Sequence, residues 1–341
     1  MIRVETRKIQ LTGESTLTVS LPKKWADKMN LGAGATVALV PQSDGTILVD
    51  PRIEDRRAPR KKTIVALNES PDALFRKLVG AYIGSFDIIE VKNGRMMSAQ
   101  VKKVVRDFRN RVIGFEVVDE TAGSVTLQDL LDSADMPPKR VLRRMCMLVE
   151  KMFIDAGTAL LRGDPGLAAD VISRDNEVDR LCWLVQKQYT AILRDLGFAE
   201  KLGVTLEECL QYQTVAKLLE RVADLVERIC TRVVDSPVPM KPETSRSVLP
   251  VRDLAQEMFS GALDATLKGD LARAEQVVSL RSRLEQLFEE AMKSVHHLDS
   301  ASAIRLTMVL VLLRRAGLFS TDIAEAATNF IIGLDDIRKI D

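Results

Sequence analysis

Residues 152–173, MFIDAGTALLRGDPGLAADVIS, are echoed 106 positions later by residues 258–279, MFSGALDATLKGDLARAEQVVS. Both stretches begin with Met-Phe, turn at Gly-Asp and continue with apolar residues at helical spacing. In each stretch the glycine is expected to end one helix and the aspartate to cap the next. An internal duplication is the simplest explanation, so this stretch predicts two similar helical units.

The repeat extends outward into three predicted helices per copy. The offset between the copies falls to 94 where Leu218-Leu219 matches Leu312-Leu313, which places a deletion of 12 residues in the second copy. The deletion falls at residues 197–203, which are predicted to be a loop because glycines bound them. The predicted helices span 139–162, 166–196 and 205–234, then 246–268, 271–296 and 301–333. The copies therefore occupy residues 138–235 and 243–338 and form an all-α region.

Carboxylates recur at four-residue spacing on two helices of the first copy. Asp175 and Asp179 share one face of the second helix, and Glu220 and Asp224 share one face of the third. Converging carboxylates repel one another unless a cation is bound, and an all-oxygen set suits metals such as magnesium, manganese or iron. Spacing alone favours the other interpretation, in which these are solvated helix faces balanced by neighbouring arginines.

The sequence pattern of residues 1–51 predicts four short strands and one short helix. Turn residues separate the strands into two pairs, and Pro22 opens the helix. A unit of about 50 residues buries too little surface to be stable alone, so two copies are expected to interleave as a dimer. Through Lys62 the chain carries twelve basic and seven acidic side chains. This excess suits a DNA backbone, although a solubilising face explains the charge equally well.

A charged segment containing Pro59, residues 52–62, is predicted to be a linker. Residues 63–135 then alternate between strand and helix patterns, which predicts a small α/β domain. The predicted strands lie at 63–67, 88–91, 112–118 and 125–127, and the predicted helices at 70–85 and 98–109. No residue here stands out as a site, so a spacer or dimer-contact module is predicted in preference to a ligand sensor.

Composition and motifs exclude several classes of protein. The net charge of +1 is too balanced for a nucleic-acid coat protein, and four cysteines without a CxxC pair indicate a reducing compartment. The opening MIRVETRKIQ lacks an apolar signal core and no apolar run approaches the ~20 residues of a membrane span, so a cytoplasmic protein is expected.

A phosphate loop is missing, which argues against a nucleotide-dependent enzyme. A ferritin-like di-metal enzyme needs Glu-x-x-His, but Lys293 and Ser294 precede the adjacent His296 and His297.

The N-terminal sequence resembles the SpoVT-AbrB swapped-hairpin DNA-binding domain. The resemblance is carried by RKIQLTG (7–13), STLTVSLPK (15–23) and Trp25, then by the spacing of Leu31, Gly34 and Val37 and by DGTI (44–47). The resemblance implies that two chains exchange hairpins. It also implies DNA contacts from the first strand and its loops, which by position are Arg7, Lys8, Lys23 and Lys24. Trp25 is expected to pack at the start of the helix. Members of this family also act as antitoxins or protein docks.

The helical region is similar to the PhoU phosphate-uptake regulators over about 200 residues. The similarity is carried by the motifs LLRGD (160–164), DNEVDRL (175–181) and LERVAD (219–224). In that family, duplicated three-helix bundles hold metal clusters on acidic motifs. The matching positions here are Asp175, Asp179, Glu220 and Asp224. The second copy departs from the pattern, so at most one divalent or ferric metal site is expected, in the first copy. The aligned residues of the second copy are Arg281, Glu285, Arg314 and Leu318.

The chain is therefore expected to be multidomain α+β, with a swapped-hairpin β domain, a small α/β domain and a duplicated three-helix bundle. An AbrB-like domain joined to a PhoU-like domain looks like the single-chain phosphate regulators of archaea. The resemblance implies a non-enzymatic transcriptional regulator of phosphate homeostasis that binds DNA as a homodimer and contacts a phosphate transporter or sensor kinase. The alternative is an adaptor that docks on such a partner without binding DNA, with the β domain serving only for dimerisation.

Overall fold

The computed structural model of the chain describes residues 5–41, 45–51, 59–67, 69–132, 135–295 and 297–337. Its contacts divide it into two units, Met1–Pro59 and Arg60–Asp341. The first unit consists of strand hairpins with one helix, and the second joins a small sheet domain to a long helical region. The predicted multidomain α+β class is thereby confirmed.

The first unit contains two antiparallel hairpins. In the first hairpin Leu11 pairs with Leu17, and Gly13 takes the left-handed backbone conformation, φ 70°, that the tight turn requires. The four strands and the helix lie in the predicted order. The elements are β1 (Gln10–Thr12), β2 (Thr16–Thr18), α1 (Lys23–Lys28), β3 (Ala38–Pro41) and β4 (Ile47–Asp50).

This unit has no core of its own among its described residues, since none of them is buried. The apolar side chains of Ile9, Leu11 and Leu17 are 67%, 65% and 67% exposed. Leu39 and Ile47 in the second hairpin are exposed to a similar extent. Because a soluble chain gains stability mainly by removing such surface from water, the unit needs a further surface to pack against.

The small sheet domain has the strand order β5-β6-β8-β7. β5 and β6 are parallel, as a helical crossover requires, while β8 is antiparallel to both of its neighbours. Ser70 and Ser98 cap the two helices by accepting backbone N–H groups. Buried Leu78, Tyr82 and Phe108 fill the core beneath the sheet. The elements are β5 (Lys61–Val65), α2 (Pro71–Ile83), β6 (Ile88–Lys92), α3 (Ala99–Arg111), β7 (Phe115–Glu120) and β8 (Ser124–Asp129).

Two boundaries of this domain differ from the prediction. The linker predicted over 52–62 ends earlier, because β5 begins at Lys61 and the Arg60 N–H already donates to the Asp87 carboxylate at 2.6 Å. Residues 52–58 lie outside the described part of the chain. The strand predicted from Val112 begins instead at Phe115, after Gly114, whose φ of 93° breaks the extended backbone.

The helical region carries the duplication. In each copy a left-handed glycine, Gly163 or Gly269, ends the first helix, and the following aspartate caps the next helix through a backbone N–H three residues on. The rings of Phe153 and Phe259, which occupy aligned positions in the two copies, stack at 5.7 Å. The helices are α4 (Pro138–Arg162), α5 (Pro165–Arg194), α6 (Leu196–Leu202), α7 (Leu206–Asp235), α8 (Pro242–Lys268), α9 (Leu271–Ser279), α10 (Arg281–Val295) and α11 (Ser300–Ile337).

Two parts of the helical region depart from the predicted three helices per copy. The loop predicted at 197–203 is largely the short helix α6, because Ala199 and Leu202 bury apolar surface against Ile192 and Cys209. The helix predicted over 271–296 is divided at Leu280 into α9 and α10. Over the described ranges, no helix combines the length and the apolar character needed to cross a lipid bilayer.

Candidate functional site

The predicted metal-motif residues lie on α5 and α7, two helices that pack against each other. Their charges act on one another: burial, together with the carboxylates of Asp179, Asp224, Glu227 and Glu220, raises the pKa of Asp175 to about 7. We call these five residues the acidic cluster. Glu227 follows Glu220 by seven residues and Asp224 by three, so helical spacing alone would have placed it on this face. Glu177, in contrast, forms an ion pair with Arg144.

Burial, reinforced by electrostatic repulsion between neighbours, disfavours the charged forms of carboxylates in the acidic cluster. Burial and the neighbouring charges of Asp224 and Asp179 raise the pKa of Glu220. Burial also raises the pKa of Asp179, but the adjacent Arg111 guanidinium opposes this shift. Burial and the neighbouring carboxylates thus disfavour the charged forms of Asp175 and Glu220, and a nearby cation would offset this cost.

A cation is supplied from the α/β domain. Arg111, in the last turn of α3, donates from Nη2 to Oδ2 of Asp179 at 2.9 Å. Its guanidinium lies 5.4 Å from the ring centroid of Phe75 and 5.7 Å from that of Trp183, within cation–π range of both. Sequence analysis missed Arg111 because its partner is 68 residues away on another domain, and no local pattern signals such a pair.

The donor chemistry of the acidic cluster suits a hard metal ion, but its arrangement does not. Across the described ranges, no three acidic, cysteine or histidine side chains converge closely enough to hold one metal ion. The carboxylate of Asp179 is also already engaged by Arg111. With Arg111 in this position, the four predicted ligands do not form a metal site.

In the second copy, an ion pair stands at the aligned positions. Glu285, which aligns with Asp179, accepts from Nε and Nη2 of Arg314 at 2.5 and 2.7 Å. Arg314 itself aligns with Glu220. The second copy therefore has a guanidinium where the first copy has a carboxylate, and this guanidinium neutralises Glu285. The Arg314 guanidinium also lies 5.2 Å from the centroid of Phe288.

The α/β domain also packs on α5 at other residues. Trp183 packs against Phe75 with ring centroids 6.2 Å apart, and the buried ammonium of Lys187 forms an ion pair with Asp129. Arg194 donates to the backbone carbonyl of Gly84. Three points along α5 are thus tied to the α/β domain in addition to the Arg111–Asp179 pair.

The four predicted DNA contacts lie at two places in the N-terminal unit. Arg7 and Lys8 precede β1, and Lys23 and Lys24 begin α1; all four side chains are exposed. Arg7 is paired with Glu5 at 2.5 Å. The other three make no ion pair with a described residue, so their charges remain available to a ligand.

Comparison with known families identifies one family for the helical region and another for the N-terminal unit. The PhoU domain matches residues 142–233, from α4 to α7. The chain carries a PhoU domain. The MazE family, described as antidote-toxin recognition and bacterial antitoxin, matches residues 10–57 and confirms the AbrB-like resemblance of the N-terminal unit. The PhoU domain contains all five residues of the acidic cluster.

Individual relatives agree with the PhoU assignment. The chain is 25% identical over 185 residues to "Phosphate-specific transport system accessory protein PhoU homolog 2" of Thermotoga maritima, which covers 54% of this chain and 76% of the relative. It is 26% identical over 176 residues to a PhoU homologue of Zymomonas mobilis, covering 49% and 72%. The crystal structure of PhoU from Pseudomonas aeruginosa superposes with a TM-score of 0.52 at 22% identity, covering 57% of this chain and 96% of that one, which supports the helical fold.

Proposed function

We propose that this protein is a DNA-binding regulator of phosphate uptake. The observation that carries the proposal is the joining, in one chain, of a basic hairpin unit that matches an antitoxin family to a PhoU domain whose relatives are named phosphate-specific transport system accessory proteins. The PhoU domain would receive the phosphate signal through a partner or ligand, and the N-terminal unit would act on DNA.

The exposed basic residues of the N-terminal unit support DNA contact. Lys8, Lys23 and Lys24 project into solvent, and Arg7 can exchange Glu5 for a phosphate group. Each neutralised phosphate releases counterions, so binding of this kind weakens steeply as salt is added. In a homodimer the four residues occur twice, which doubles the number of phosphate contacts available.

The exposed apolar residues of the same unit support a homodimer. Leu11 and Leu17 pair across one hairpin with both side chains exposed, and the neighbouring strands of the other hairpin expose Leu39 and Ile47. A second copy offers the same residues in return and would give both chains a shared core. This is the interleaving that the small size of the unit predicts.

The helical region supports a role as receiver of the signal. It has few groups suited to catalysis: the chain has two histidines, and the described cysteines are buried. A phosphate transporter or sensor kinase is the proposed protein partner. If the N-terminal unit serves only for dimerisation, the chain is instead an adaptor for that partner.

The test is binding of the full-length protein to promoter DNA upstream of its genome's phosphate-transport genes, between ~50 and ~300 mM salt. A variant with Arg7, Lys8, Lys23 and Lys24 changed to alanine should bind more weakly, and its salt slope should fall by about 0.9 for each phosphate that is no longer neutralised. A matched control changes four exposed cations of the helical region, Lys139, Arg143, Lys293 and Arg315, to alanine.

The control should bind DNA like the wild type, because it removes the same charge from another unit. Equal weakening in both variants would mean that only net charge matters and would contradict the assigned contacts. Weak binding by all three proteins, without dependence on salt, would overturn the DNA-binding proposal in favour of the adaptor.

A further inference from the structure

We propose that a cavity between the two helical copies binds a small phosphate monoester, that is, a dianionic phosphate group joined to a short apolar body. The cavity lies where α4 and α7 of the first copy meet the start of α11 in the second. Residues 236–241, which connect α7 to α8, form part of its wall, so we call it the connector cavity. This inference goes beyond the proposed function and does not depend on it.

The buried part of the lining is apolar. Leu160 and Val233 from the first copy and Leu306 and Val309 from the second are each at most 9% exposed. The cavity has a volume of about 90 Å³, which is roughly the share of three water molecules. Because these four side chains offer water no hydrogen-bond partner, a short alkyl chain is favoured at this depth.

The more exposed part of the lining is cationic. Arg232, Lys241 and Arg305 contribute one positive charge each. Arg305 donates from Nη1 to Oγ of Ser236 at 3.0 Å, but neither Arg305 nor Lys241 forms an ion pair with any residue that the structure describes. Arg232 is 46% exposed and its guanidinium lies 3.9 Å from the Asp235 carboxylate, at the outer limit of an ion pair. These cations are therefore available to an anion.

The charge of the lining matches a phosphate better than a carboxylate. The carboxylate of Asp299 also lines the cavity, but its Oδ1 is engaged at the start of α11, where it accepts from the Ser302 N–H at 3.0 Å. Three positive charges against this one negative charge leave a net charge of +2. A phosphate monoester carries roughly −1.5 to −2 at neutral pH, and guanidinium groups bind its oxygens through paired hydrogen bonds.

The wall formed by residues 236–241 is held in place by the protein itself. The Met240 N–H donates to the carbonyl of Leu161 at 3.1 Å. Val238 packs so closely on Gly163 that a Cβ added to the glycine would lie 2.4 Å from the Val238 backbone. Because this wall is already fixed, a ligand would lose little of its binding energy to ordering the chain.

The test is isothermal titration calorimetry of the full-length protein with butyl phosphate, inorganic phosphate and pentanoate. Butyl phosphate carries both parts of the proposed ligand, inorganic phosphate lacks the apolar body, and pentanoate has a similar apolar chain with a single negative charge. Each buried methylene group strengthens binding about fourfold, so butyl phosphate should bind at least about tenfold more tightly than inorganic phosphate. It should also bind more tightly than pentanoate, because its charge matches that of the lining.

Two variants assign the binding to the connector cavity. Arg305→Gln should weaken butyl phosphate binding at least about tenfold, because charged hydrogen bonds to the phosphate are lost. Lys241→Gln changes an exposed side chain and should also weaken binding, without disturbing the helical core. Arg315→Gln is the matched control, since Arg315 is exposed on the same helix as Arg305 but does not line the cavity. It should bind butyl phosphate as the wild type does.

A further measurement uses the unmodified chain and so does not depend on the folding of a variant. Saturating butyl phosphate should slow hydrogen exchange at the start of α8 and of α11, the two helices that begin beside the cavity. Butyl phosphate binding no tighter than that of inorganic phosphate would overturn the role of the apolar floor. Absence of binding, or equal affinity of wild type, Arg305→Gln and Lys241→Gln, would overturn the site, and none of these results would bear on the DNA-binding proposal.

Discussion

The buried Lys187–Asp129 ion pair gives a sharp prediction about what holds the α/β domain to α5. The Lys187 side chain is only 5% exposed, its ammonium is bonded to the Asp129 carboxylate, and it lies 4.9 Å from the ring centroid of Tyr82 and 5.4 Å from that of Phe115. Lys187→Met retains the length of the side chain but leaves the carboxylate without its partner. This variant should be strongly destabilised.

The expected magnitude follows from burial. Removing one partner of a buried ion pair costs about 3–5 kcal/mol, because the remaining charge is left without compensation. Asp129→Asn should cost a similar amount, since it leaves the Lys187 ammonium unpaired. The double variant removes both charges, so its free energy of unfolding should exceed the additive expectation by about 2–3 kcal/mol.

Urea unfolding followed by tryptophan fluorescence provides the assay. The chain has two tryptophans, so a Trp25→Phe background leaves Trp183, which packs against Phe75 at this interface, as the sole reporter. Lys103→Met serves as control, because the Lys103 side chain is 71% exposed and pairs with Asp107 on the surface of α3. Surface pairs of this kind contribute less than about 1 kcal/mol.

Two results would refute this reasoning. If Lys187→Met were no more destabilising than Lys103→Met, the pair would carry no more energy than a surface contact. If the destabilisations of Lys187→Met and Asp129→Asn added within about 0.5 kcal/mol, the two residues would not act on each other.

Three further predictions use the same urea assay or a labelling experiment. Gly163→Ala should lower the free energy of unfolding by at least about 2 kcal/mol more than Gly269→Ala. Both glycines have a left-handed backbone conformation, but a Cβ at Gly163 would lie 2.4 Å from the Val238 backbone, whereas a Cβ at Gly269 would have nothing within 4 Å. Equal destabilisation by the two substitutions would mean that the left-handed backbone strain, and not the contact with Val238, determines the cost. All four cysteines are buried, and burial raises their thiol pKa to about 12, so a thiol reagent at mildly alkaline pH should label them only on unfolding; rapid labelling of the native protein would contradict their burial. Arg314→Met should cost about 1–2 kcal/mol, because it leaves Glu285 half-buried and unpaired, and Glu285→Gln in the same chain should recover part of that stability.

Much of the helical fold could be predicted because its signals are local. Gly163-Asp164 and Gly269-Asp270 mark corners through residue chemistry alone: glycine adopts the left-handed conformation, and the aspartate accepts from the N–H three residues on. The duplication then indicated most of the other helices, because each copy supports the helices predicted for the other.

The elements that were missed depend on distant contacts. α6 forms because Ala199 and Leu202 find apolar partners on α5 and α7, and glycines at 197 and 203 suggest a loop when the segment is considered alone. β5 begins with Lys61 and Lys62, whose charge is typical of a linker. The charge is tolerated here because β5 is an edge strand and both residues are exposed. Arg111 was missed for the same reason, since its role exists only once α3 lies against α5.

The acidic cluster is best understood by comparing the two copies. Both copies build this corner on equivalent helices, and the second does so with the Arg314–Glu285 pair in place of opposed carboxylates. The fold therefore does not require the acids of the first copy. Burial of Asp175, together with repulsion from its neighbours, raises its pKa to about 7, so its charged form opposes folding above that pH. A stability cost that the second copy avoids is typical of a functional site. It falls on the face of α5 that receives Arg111, where charge in the PhoU domain and docking of the α/β domain act on the same carboxylate.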